Sequence, residues 1–122
     1  MGELPTPEAE DDFLHHIKHT FEVGCVKHSR TNGRMIRKVA LCGGAGAFLL
    51  PRAVASGADV FITGEVKYHD YFSYENSILV AEIGHYESEQ YTKEIFYSII
   101  QEMFPALEVQ MTRVNTNPIK YL

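Results

Sequence analysis

His85 and Glu89 stand four residues apart in the segment Gly84-His85-Tyr86-Glu87-Ser88-Glu89. On a helix that spacing is about one turn, so the imidazole and the carboxylate face the same point. Those are two of the usual ligands of a divalent metal ion. Two ligands do not complete a site, and taken alone the pair also reads as a metal-free helix entrance. Glu65 and His69 repeat the four-residue spacing just after Thr63-Gly64. A hydroxyl and a carboxylate there can face a ligand or orient a metal-bound water. Equally, Thr63 can cap a following helix while Glu65 stabilises its first turn. The stretch Gly43-Gly44-Ala45-Gly46 can offer backbone N–H groups to an anion. It is not G-x-G-x-x-G and lacks the lysine of a P-loop, and a tight strand-to-helix turn needs the same glycines for steric reasons.

The remaining candidates carry less. His15 and His16 are adjacent, so on a helix they point about 100° apart and do not easily chelate one ion. With His19 and His28 they read as solvated. Cys42 ends a strand before the glycine loop, where a nucleophile can stand, but no base is marked for it and no Ser-His-Asp or Cys-His triad assembles. Cys25 and Cys42 belong to no CxxC and read as buried free thiols in a reducing cytoplasm.

The elements that must position these residues follow from pattern. Thr6-Pro7-Glu8 reads as an N-cap, a proline at the first helical position and early acid, opening a helix that runs to about Phe21. Its apolar face is Phe13, Leu14, Ile17 and Phe21. Cys25-Val26 suggests a short strand and Thr31-Asn32-Gly33 a turn. Strands are then expected at Met35–Cys42, Asp59–Ile62 and Ile78–Ala81. Helices alternate with them at Phe48–Ser56, Lys67–Asn76 and Glu87–Met103. The last of these carries Tyr91, Ile95, Phe96, Ile99, Ile100 and Met103 on its apolar face and ends at Pro105. A final strand at Leu107–Met111 and the loop Asn115-Thr116-Asn117-Pro118 close the chain. The alternation predicts one α/β domain with a mostly parallel sheet and helices on its faces. Ligands of such sheets bind outside the carboxyl ends of the strands. Those ends carry Gly43 to Gly46, Thr63-Gly64-Glu65 and Gly84-His85, so the unusual residues share one sheet edge.

Composition narrows the function classes. At 122 residues and 45% hydrophobic, the chain can bury the core of one domain. A net charge of -5, with lysines and arginines scattered singly apart from Arg34, Arg37 and Lys38, argues against direct nucleic-acid binding. No apolar run approaches the ~18 residues of a membrane span. The acidic start, Met1-Gly2-Glu3-Leu4-Pro5, is not a signal peptide, and a cytoplasmic protein is expected.

Four ordered motifs are also familiar. They are Val39-Ala40-Leu41-Cys42-Gly43-Gly44-Ala45-Gly46, Gly57-Ala58-Asp59-Val60-Phe61-Ile62-Thr63-Gly64-Glu65, Lys67-Tyr68-His69-Asp70 and Gly84-His85-Tyr86-Glu87-Ser88-Glu89. Together they resemble the C-terminal half of the GTP cyclohydrolase 1 type 2 homologue family, the NIF-three-like proteins. Gly2-Glu3-Leu4 resembles the point where that half resumes after a middle insertion, and Asn117-Pro118 resembles the end of the family's chains.

The resemblance implies two related α/β halves around a dinuclear metal site, assembled as a ring-like hexamer. It implies His85 and Glu89 as metal ligands, with zinc, manganese or iron as candidate ions. Glu65 becomes the candidate catalytic carboxylate, as base or as orienter, while Thr63, His69, Gly43 and Gly44 lie around the bound ions or substrate. The family's other ligands, a His-His pair and an Asp, belong to an N-terminal half with no counterpart here, and His15-His16 is not that pair. The chain therefore reads as the C-terminal half of a longer two-lobed protein. It would need the N-terminal half as a partner, hold metal weakly alone and tend to self-associate. The implied activity is metal-dependent hydrolysis, in which two ions activate a bridging water and polarise the substrate. The alternative is a non-enzymatic metal-binding scaffold or regulatory interaction module.

Overall fold

A computed structural model describes residues 1–122. Its centre is a five-stranded sheet in the order β1-β3-β4-β5-β2, with β1 at Gly2–Ala9, β2 at Lys27–His28, β3 at Met35–Cys42, β4 at Val60–Thr63 and β5 at Leu79–Glu82. The inner pairs β3/β4 and β4/β5 are parallel, and the edge pairs β1/β3 and β2/β5 are antiparallel. The sheet is thus mixed rather than mostly parallel. Each inner strand is joined to the next through a helical crossover, as parallel neighbours need. Both edge strands come from the N-terminal part of the chain and run antiparallel to their neighbours.

Both faces are covered. Helix α1 (Glu10–Thr20) lays Phe13, Leu14 and Ile17 against Ile36, Val60, Ile62, Leu79 and Ala81. On the other face α2 (Leu50–Ala55), entered through a 3-10 turn at Ala47–Leu49, packs Leu50 and Ala53 on Ala40, Phe61, Ile78 and Val80, with Tyr71 and Tyr74 of α3 (Tyr68–Tyr74) beside them. Val60, Phe61 and Ile62 therefore alternate between two apolar layers, as a strand buried on both sides must. In β3 the alternation slips: Ile36 and Ala40 share parity yet face opposite layers. The N–H groups of Arg37 and Lys38 both donate to Asp59 Oδ2, at 2.9 and 2.7 Å, which is the signature of an extra residue bulged from the strand.

Several expectations are corrected. Thr6-Pro7-Glu8 does not open a helix but lies in edge strand β1, and α1 begins at Glu10. Prolines lack a ladder N–H and are tolerated at an edge. The β1/β3 register shifts between Glu3 and Glu8, the stretch that holds Pro5 and Pro7. The short strand is at Lys27–His28, not Cys25-Val26. Cys25 is exposed and Cys42 half-buried, so neither is a core thiol. The long helix is two, α4 (His85–Glu89) and α5 (Thr92–Met103). Tyr91 stacks edge-on to Phe21 at the break between them. The apolar residues Ile95, Phe96, Ile99 and Met103 of α5 face solvent rather than the core. Leu107–Met111 forms no strand. No helix is long and apolar enough to cross a membrane.

One buried charge holds the sheet entrance. Glu10 is 3% exposed, and its Oε2 accepts the N–H groups of Asn32, Gly33 and Arg34 at 2.7, 2.8 and 3.2 Å. It closes the Thr31-Asn32-Gly33 turn, where Gly33 takes φ 81. Hydrogen bonds to a charged group are each worth about 1.5–3 kcal/mol, and orphaned donors add a cost. Glu10→Ala is therefore expected to lower unfolding stability by about 3 kcal/mol in urea denaturation, with Glu10→Gln losing less because an acceptor remains. Equal stability of all three proteins would refute this role.

Candidate functional site at the carboxyl edge of the sheet

The ends of β3, β4 and β5 converge as the alternation predicts. The loop after β3 turns back at Gly44, which takes φ 65. Its carbonyl accepts the N–H groups of Gly46 (3.0 Å) and Gly64 (2.8 Å) and the hydroxyl of Thr63 (3.0 Å). Thr63 is fully buried, and its Oγ1 also accepts the Gly46 N–H at 3.0 Å. Thr63 thus ties the glycine loop to β4 and does not cap α3, whose N-terminus has no side-chain cap.

Helix α4 rises from Gly84, which takes φ 97. Ser88 Oγ accepts the Gly44 N–H at 2.8 Å and donates to the His85 carbonyl at 2.8 Å. Glu89 folds over the glycine loop. A Cβ on Gly44 would lie 2.5 Å from Glu89 Oε1, and one on Gly64 would lie 2.7 Å from Ser88 Oγ. Gly44 is therefore required by its positive φ, and Gly64 by close approach, since a Cβ there would also lie 2.8 Å from the Gly44 carbonyl oxygen and 2.9 Å from His85 Cα.

His85 stands between two carboxylates. Its Nδ1 is 2.8 Å from Glu65 Oε1, and its Nε2 is 3.2 Å from Glu89 Oε2. A neutral imidazole has one N–H, so it can satisfy one carboxylate and must turn a lone pair toward the other. The arrangement calls for a positive charge at Nε2, either a second proton or a cation. Accordingly the Glu65 hydrogen bond, aided by both carboxylate charges, raises the His85 pKa above its ordinary value against the opposing effect of burial.

A divalent ion fits this donor pair in part. Two ligands at about 2.0–2.2 Å from one ion have mutual separations like that of Nε2 and Oε2. A carboxylate on the other imidazole nitrogen is the usual partner of a metal-bound histidine. No group of three or more His, Cys, Asp and Glu residues suited to hold an ion is present, so His85 and Glu89 alone do not make a complete metal site. His69 is not brought to the site. Glu65 precedes α3 rather than lying on it, so the helical spacing does not apply, and the His69 ring packs on Tyr68.

The site opens into a cleft of about 550 Å³. Glu65, His85, Glu89 and Lys93 line it together with Thr112, Val114 and residues 116–119 of the C-terminal segment. Asn117 Nδ2 donates to Glu87 Oε1 at 2.9 Å, joining that segment to α4. Behind α4, Glu82 at the end of β5 is 6% exposed, paired with Lys27 and bonded by the Tyr71 hydroxyl at 2.9 Å. Burial first, then Glu82, pushes the Tyr71 phenol up. Sequence reading gave no role to Ser88, Glu87, Glu82 or Lys93. The partners of Ser88, Glu87 and Glu82 come from distant segments and leave no local pattern, and Lys93 reaches the cleft from the following helix.

The His85 charge has a measurable consequence. Its folded pKa is raised, so its contribution to stability is fully present below about pH 6.5, the unfolded value, and is lost as pH rises through the folded value. The side chain is 44% exposed, so solvent screens the contribution and keeps it small. In metal-free protein, NMR titration of the His85 ring is expected to give a midpoint above 6.5 that falls in Glu65→Gln. A midpoint unmoved by that substitution would contradict the Glu65 hydrogen bond as its cause.

Comparison with known proteins agrees with this architecture. "GTP cyclohydrolase 1 type 2 homolog" of Staphylococcus aureus (strain COL) is 30% identical over 127 aligned residues, covering 100% of this chain and 34% of its own length. The chain thus spans about a third of that relative. The crystal structure of Staphylococcus aureus protein SA1388 superposes with a TM-score of 0.84 at 26% identity, over 98% of this chain and 40% of that one. A Bacillus cereus protein related to NIF3 superposes at 0.81 and 22% identity, over 99% of this chain and 35% of that one, and shows the shared fold. The family model described as Duf34/NIF3 (NGG1p interacting factor 3) matches residues 1–118, and the chain belongs to that family.

Proposed function

We propose that this chain supplies one side of a divalent-metal site in a metal-dependent hydrolase, with His85 and Glu89 as ligands. The observation that carries the reading is an imidazole held between two carboxylates at the carboxyl edge of the sheet, 2.8 Å from one and 3.2 Å from the other. His85 Nε2 and Glu89 Oε2, 3.2 Å apart, would hold the ion between them. Glu65 holds Nδ1 and so fixes the tautomer and aims Nε2. When bound, such an ion polarises a substrate oxygen or lowers the pKa of a bound water. Thr63, Gly43 and Gly44 shape the floor under Glu89 and leave room for it.

The chain offers two ligands, so the remaining donors come from elsewhere. The curated relatives are about three times longer, consistent with an N-terminal half that completes a dinuclear site. Assembly as a homo-oligomer belongs to the same proposal. The Staphylococcus aureus relative is named as a homolog of GTP cyclohydrolase 1 type 2. A non-enzymatic scaffold is the second reading, favoured by the exposed apolar face of Ile95, Phe96, Ile99 and Met103 on α5.

Calorimetric titration with Zn²⁺ or Mn²⁺ tests the ligand assignment. The chain is expected to bind weakly, with binding lost in His85→Ala and in Glu89→Gln and lowered about tenfold in Glu65→Gln. Binding that survives His85→Ala, or no binding by the unaltered chain, would remove the metal reading. Binding in the longer relatives without metal-dependent hydrolysis of any nucleotide would favour the scaffold.

A further inference from the structure

We infer that Asn117 is a positioning residue for the His85–Glu89 pair, acting through Glu87. The inference rests on the reading that this pair holds a divalent ion. Helix α4 has five residues and no side-chain N-cap. A helix that short has no stability of its own, so its tertiary ties fix where it points. Ser88 ties it to Gly44 on the loop side. Glu87 ties it to Asn117 on the side of the C-terminal segment. His85 and Glu89 precede and follow these two tethered residues.

Glu87 makes the second tie sensitive. Its Oε2 is buried with no hydrogen-bond partner, while Oε1 receives the Asn117 amide at 2.9 Å. A carboxylate with one oxygen buried and unpartnered is held in that place by the donor on its other oxygen. Asn117 is itself locked. Its backbone N–H donates to Asn115 Oδ1 at 2.8 Å, and its Oδ1 accepts the Ile119 N–H at 3.0 Å. With the amide oxygen engaged by Ile119, the NH₂ group is left to face Glu87, and this assigns the orientation. The same segment contributes Thr112, Val114, Thr116 and Ile119 to the wall of the cleft that His85 also lines. Loss of the Asn117 bond therefore frees Glu87 to turn to water and detaches α4 from that wall. The effect on the ligand pair is indirect, since Asn117 need not touch the ion.

The test uses Mn²⁺ alone as the probe and reads paramagnetic broadening of the His85 and Glu89 amide resonances, with His85→Ala as control. Asn117→Asp sets a second carboxylate against Glu87, and the half-broadening concentration is expected to rise about tenfold, the usual scale for a lost partner behind a metal ligand. Glu87→Gln combined with Asn117→Asp exchanges donor and acceptor across the pair while the Ile119 bond is kept. This double variant is expected to restore binding, and to restore hydrogen-exchange protection of the α4 amides lost in Asn117→Asp. A purely structural lesion at Asn117 would not be repaired by that exchange. Unchanged Mn²⁺ binding in Asn117→Asp, or a loss that the double variant does not repair, overturns the Asn117 role while the His85→Ala control still upholds the metal reading. Absence of localised broadening in the unaltered chain overturns both.

Discussion

The backbone of Gly44 joins the parts on which the site depends. Its carbonyl gathers Gly46 N–H, Gly64 N–H and the Thr63 hydroxyl, and its N–H reaches Ser88 on α4. One residue therefore fixes the end of β3 to the end of β4 and both to the helix that carries His85 and Glu89. It can do so only with a positive φ and no side chain. Those two demands converge because Glu89 Oε1 occupies the space a Cβ would need. Glycine here serves the placement of a carboxylate, which is a different requirement from cradling an anion.

The parallel core behind that turn was legible in the sequence because its strands are buried on both faces and separated by helix-length segments. Val60, Phe61 and Ile62 form a continuous apolar run, and only a two-layer cover accommodates one. The edges were not legible. Thr6-Pro7-Glu8 has every local mark of a helix start, and tertiary pairing with β3 overrides it. Local propensity amounts to tenths of a kcal/mol per residue, whereas an unpaired edge of β3 would expose a row of polar backbone. The unpaired prolines are left in the stretch where the register shifts.

Within the site, the His85–Glu89 spacing could be read directly because both residues lie on one helical turn. The partner on the opposite nitrogen could not. Glu65 is twenty positions away, as the hydrogen bond to His85 records, and it arrives because β4 and β5 are parallel neighbours whose ends fall side by side. The helical spacing of Glu65 to His69 pointed to the wrong histidine, since the chain between them is not yet helical. Glu10 was hidden for a similar reason. Its three donors lie on a turn more than twenty residues away and make no periodic pattern with it.

The balance of charge around His85 explains why so small a helix is tied on both sides. Two carboxylates within 3.2 Å of one imidazole repel each other unless a positive charge sits between them. At low pH a proton supplies that charge, and at higher pH the proton leaves and the repulsion returns. An untethered α4 would relieve the repulsion by swinging Glu89 away, and the site would disperse. Ser88 on Gly44 and Glu87 on Asn117 oppose that movement and keep the ligand pair together when it is least favourable for it to stay. Two negative groups held around an Nε2 lone pair form a local concentration of negative charge, and the two ties keep that charge in one place at the carboxyl edge of the sheet.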